Sequence, residues 1–102
     1  MVIKVRVSND VMLNYLDRLT NKLFRILPTR EENGDWLSLL QTVSIEVSGL
    51  MNLLDDQVDL LSLLSKLEAL SKLQKEEDFF NFRKLIFECL DSIAYIKKHV
   101  KS

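Results

Sequence analysis

An all-α fold, an up-down bundle of four helices preceded by one short β-strand, is predicted by three features of this chain. First, apolar residues recur at alternating steps of four and three in four stretches. They are Met12, Leu16, Leu19, Leu23 and Ile26; then Trp36, Leu40, Val43, Val47, Leu50 and Leu54; then Leu60, Leu63, Leu67 and Leu70; and finally Phe79, Phe82, Ile86, Cys89, Ile93, Ile96 and Val100. Such spacing lays a stripe along one side of a helix, and a mean period of about 3.5 suits helices packed at shallow angles. Second, Gly34, Gly49 and Pro28 are the only glycines and the only proline, which leaves little material for turns and implies short connections. Third, 47% hydrophobic and 28% charged residues mark a globular chain rather than a disordered one. At 102 residues it makes one domain, residues 1–102.

The strand comes first, at about residues 2–7. Ile3, Val5 and Val7 alternate with Lys4 and Arg6, and β-branched residues dominate. A lone strand leaves backbone donors and acceptors unpaired, and no second strand-like segment follows. It therefore pairs with its copy across a dimer axis, receives a strand from a partner, or packs as a tail on the bundle.

Ser8, Asn9 and Asp10 are candidate caps for a first helix at about 10–27. It should stop there because Pro28 biases Leu27 away from the helical region. Thr29 to Asp35 reads as a polar loop with Asn33-Gly34 as its turn, and Asp35 as the cap of a second helix at about 36–54. A third helix spans about 56–73. Asp55 and Asp56 resemble an N-cap pair and the apolar stripe changes phase after Leu54, so a tight turn is expected near Leu54 to Asp56. The alternative is three helices with one long central helix of about 38 residues, roughly 57 Å, which would force dimerisation. Gln74 to Asp78 is a charged connector, with Asp78 placed to cap a fourth helix at about 78–100. Mid-helix, Gly49 beside Ser48 marks a close helix approach, a kink or an early helix end.

Charge is uneven along the chain. The balance is +4 over residues 1–30, −7 over 31–70 and +2 over 71–102. Arg18, Lys22 and Arg25 recur at steps of four and three on the first helix, and Lys97, Lys98 and Lys101 end the last. This basic side is a candidate nucleic-acid contact, though a solvated face explains it more simply. No aromatic recognition platform, zinc-type cysteine spacing or glycine-rich phosphate loop accompanies it.

Chemistry is sparsely marked. A di-iron bundle site needs Glu-x-x-His pairs on two helices, and His99 is the only histidine. Glu46, Glu68 and Glu88 are the only candidates for an internal carboxylate cluster. No arginine precedes His99 at the spacing of a helical ribonuclease pair, and no Ser/His/Asp set or P-loop is present. The expectation is no enzyme, no cofactor and no metal. Cys89 lies within the last stripe and reads as core. One cysteine forms no internal disulfide, the N-terminus lacks the apolar core of a signal peptide, and no apolar run reaches membrane-spanning length. A cytoplasmic setting with no membrane contact is expected.

The last helix is too broadly apolar for a monomeric bundle. Its apolar positions span roughly 220°, with Phe80, Phe87 and Ala94 flanking the main stripe. These aromatics cover the strand or a bundle end, or they form a subunit interface. The candidate interface residues are Ile3, Val5, Val7, Phe79, Phe80, Phe82 and Phe87. The leading expectation is a non-enzymatic, cytoplasmic protein–protein interaction or oligomerisation module, a homo-oligomer with a dimer favoured, open to a further protein partner. A nucleic-acid-associated accessory protein is the alternative, and an antitoxin-type enzyme inhibitor the third.

Overall fold

The structure, a computed structural model, describes residues 9–52 and 57–101. Four helices run in order: α1 (Asn9–Glu31), α2 (Trp36–Leu50), α3 (Gln57–Lys72) and α4 (Phe79–Lys101), the last entered through a 3-10 turn, Glu76–Asp78. Each packs on its neighbours in sequence, and α1 closes the ring against α4. The bundle measures 44 × 21 × 20 Å. The expected strand, with Ile3, Val5 and Val7, lies outside the described residues, as do the Leu54 to Asp56 turn and the side chain of Lys101.

The apolar stripes become the core. Every member from Met12 to Ile26, from Leu40 to Leu50, from Leu60 to Leu70 and from Phe82 to Ile96 is buried. Trp36, Phe79 and Val100, at stripe ends, are only partly buried. The alternation places the stripes on the inward side because four antiparallel helices share one axis.

Three boundaries differ from expectation. α1 does not stop at Leu27 but continues through Pro28 to Glu31. Pro28 lacks an N–H for the carbonyl of Phe24, yet both residues lie on the exposed side, where water can serve that carbonyl. Thr29 supports the turn by donating its hydroxyl to the Arg25 carbonyl at 2.7 Å. The helix then closes in a Schellman arrangement: Asn33 N–H donates to Arg30 O at 3.0 Å and Gly34 N–H to Thr29 O at 2.7 Å. The left-handed residue is Asn33, with φ 59°. Gly34 serves a different need, since a Cβ there would sit 2.8 Å from Thr29 Cγ2.

α2 begins as expected. Asp35 is its N-cap, accepting from the Ser38 backbone N–H at 3.2 Å and the Ser38 hydroxyl at 2.7 Å. These bonds hold its carboxyl below the usual range. The helix ends at Leu50 rather than Leu54, through three-residue bonds from Met51 N–H to Ser48 O and Asn52 N–H to Gly49 O, each 3.2 Å. Gly49 is exposed, and an added Cβ would meet nothing within 4 Å. It therefore marks the helix end and not a close helix approach. Because α2 and α3 pack on each other, the single long central helix is ruled out.

Asp78 is not the cap of α4. It sits third in the 3-10 turn and accepts from the Lys75 N–H at 3.3 Å, so the helical path starts before it. Acidic Glu76, Glu77 and Asp78 thus occupy the first turn, where the helix dipole favours them.

Candidate functional site: the outward face of α4

Among the described residues, polar ties join α1 to α2, α1 to α4 and α3 to α4. Lys22 of α1 pairs with Glu46 of α2, whose backbone carbonyl also accepts from the Tyr15 hydroxyl at 3.4 Å. Burial, reinforced by Glu46, raises the Tyr15 phenol above its ordinary value. Lys97 of α4 pairs with Asp17 of α1. Lys66 of α3 donates to the Ser92 hydroxyl of α4 at 2.7 Å. Between α2 and α3 runs a groove lined by Leu37, Leu40, Leu64 and Leu67 together with Ser38, Gln41, Ser44, Glu68 and Ser71.

These ties divide the expected basic face. Lys22 and Lys97 already face carboxylates, while Arg18 lies 5.7 Å from the Tyr15 ring centroid. Arg25 and Lys98 remain exposed. The three glutamates stand apart: Glu46 is tied to Lys22, and Glu68 and Glu88 are exposed on α3 and α4. Among the described residues, no group of three or more His, Cys, Asp or Glu is placed to hold a metal ion. No described helix is long and apolar enough to cross a membrane.

Sequence reasoning passed over Arg30, which it left in a loop. Its guanidinium lies over Phe82 at 4.3 Å, Trp36 at 4.6 Å and Phe79 at 5.7 Å. It also donates to the Leu73 carbonyl and, at 2.8 Å, to the Lys75 carbonyl. One side chain thus joins the end of α1, the starts of α2 and α4, and the free carbonyls that follow α3. Burial pulls its pKa down and Asp78 opposes that shift. Nothing in the local spacing marks Arg30, because its partners come from three other parts of the chain.

The candidate interface aromatics divide. Phe82 is fully buried, 5.0 Å from Trp36 edge-on and 6.4 Å from Phe79, so it is core and unavailable to a partner. Phe79 is half-buried in the same cluster. Phe80 and Phe87 point outward, 71% and 42% exposed. They lie seven residues apart, with Ala94 exposed a further seven along, so the three form one surface row drifting only about 20° per repeat. Arg83 and Lys84 flank the row, and the Arg83 guanidinium lies 5.4 Å from the Phe87 centroid. Phe24 of α1 is 49% exposed. With Lys97 level with Asp17, Phe24 comes level with Leu90 along the bundle axis.

Two large aromatics thus lie in water beside charged side chains on this face. Comparison with known protein families, with curated proteins and with solved structures finds no match to this chain.

Proposed function

We propose that this protein is a non-enzymatic protein–protein interaction module whose docking surface is the outward face of α4 and whose partner is a second copy of itself. The exposure of Phe80 carries the proposal: a phenylalanine 71% in water on a regular helix contributes little to its own fold. Association that buries Phe80 and Phe87 recovers that apolar surface and leaves Arg83 and Lys84 at a polar rim. A cytoplasmic setting accords with a chain whose one cysteine, Cys89, is a buried thiol.

The test is solution molar mass by light scattering on the full chain and on a Phe80→Asp, Phe87→Asp double variant. The wild type should run at twice the 11.9 kDa chain mass, and the variant at the single mass with unchanged helical circular dichroism. An unchanged dimer in the variant would remove this face from the interface.

A further inference from the structure

The charges around the aromatic row have a symmetry of their own. Counting outward from Phe87, Lys84 stands three residues before it and Asp91 four after it. Glu77 stands ten before it and Lys98 eleven after it. All four are exposed, and none of them forms an ion pair with another described residue. At nearly matching distances on the two sides of Phe87 the signs are opposite: basic against acidic near it, acidic against basic far from it. At 100° per residue the three on α4, Lys84, Asp91 and Lys98, also fall on one flank of the row, and Glu77 lies in the 3-10 turn that leads into the helix. The apolar row is matched too, with Phe80 seven before and Ala94 seven after.

A pattern that reverses sign about its own centre is complementary to itself when turned end for end. We infer that α4 pairs with α4 of a second copy, antiparallel about a twofold axis passing near Phe87. In that register Lys84 meets Asp91 of the partner subunit, and Glu77 meets Lys98 of the partner subunit. Phe80 falls over Ala94 of the partner subunit, a large side chain against a small one, and the two Phe87 rings meet at the axis. The twofold axis makes every contact occur twice, as an isologous interface requires. From Phe80 to Ala94 the contact runs about 21 Å along the helix, the length of nearly four turns. A parallel pairing of the same faces would instead carry this flank to opposite sides of the two helices, so Lys84 and Asp91 would lose these partners.

This pairing rests on the self-association proposed above, and charge reversal separates the two. Lys84→Glu alone and Asp91→Lys alone each create like-charge contacts, so each should self-associate about tenfold or more weakly than the wild type. Mixed in equal amounts, the two variants should recover the dimer. The introduced acid of one variant then faces the introduced base of the other, while the native Lys84 and the native Asp91 still face each other. The chain carrying both substitutions should also recover the dimer unaided. Sedimentation velocity on the full chain, with circular dichroism to confirm folding, reads all four. Wild-type dimerisation in both single variants, or failure of the mixture to re-form a dimer, would overturn this register. If Phe80→Asp, Phe87→Asp still dissociated the protein, the face would stand and only the register would fall. A monomeric wild type would overturn both.

Discussion

Arg30 shows how much one side chain can do at the end of a small bundle. Its planar guanidinium covers three rings while donating to two carbonyls beyond the last turn of α3. Arg30→Met keeps an apolar stem over the rings but strands those carbonyls. It should lower unfolding free energy by about 1–3 kcal/mol, read as a lower urea midpoint at unchanged slope. Arg30→Lys should recover less than half, since a point charge cannot lie flat on the rings and bond both carbonyls. A loss under about 0.5 kcal/mol for Arg30→Met would mean the contact is incidental.

Cys89 carries a second prediction at this scale. Burial in the core pushes its thiol up to about 12, against about 8.5 in an unfolded chain. Between those values the unfolded chain has released a proton that the folded chain retains. The contribution is therefore complete below about pH 8.5 and is lost as pH rises, by about 1.4 kcal/mol per pH unit. Cys89→Ala will be less stable at neutral pH, but its stability should fall less steeply from about pH 9 to 11. Equal slopes for the two chains would contradict a buried thiol.

Among the elements, helix ends rather than helix middles carry the information. Pro28 is tolerated inside α1 because it sits one turn beyond an exposed Phe24, and the helix is closed by Asn33 in the left-handed region. Asparagine adopts that region more readily than most side-chain-bearing residues, which frees Gly34 for the tight approach to Thr29. Gly49 has no such duty. Its added Cβ would meet open space and its backbone is helical, so Gly49→Ala should stabilise the protein by about 0.5–1 kcal/mol in thermal or urea unfolding. Destabilisation would show that the α2 terminus needs glycine after all.

For the whole molecule, the balance between inward and outward apolar surface decides behaviour. The four stripes fill one core, and α4 has aromatic surface left over on its far side. Pairing through that side, flanked by charge pairs at an aqueous rim, should weaken as salt rises from about 0.05 to 1 M by the screening of those pairs. A self-association constant that grows with salt would point to a purely apolar contact.

The apolar spacing by itself determined the fold class, the number of helices and nearly every core residue, because a stripe with helical period can be buried in only one way once helices pack side by side. It also singled out Phe80 and Phe87 as surplus to a bundle. Tertiary structure alone decided the rest. Phe82 and Phe80 are two residues apart and chemically identical, yet one closes the core against Trp36 and the other faces water. Lys22 and Lys97 read as one basic side with Arg18 and Arg25 until Glu46 and Asp17 arrive from neighbouring helices. Arg30 became a keystone only when the ends of α1 and α3 met. In each case the deciding partner is brought in by a different helix from a distant part of the chain, and local spacing carries no trace of it.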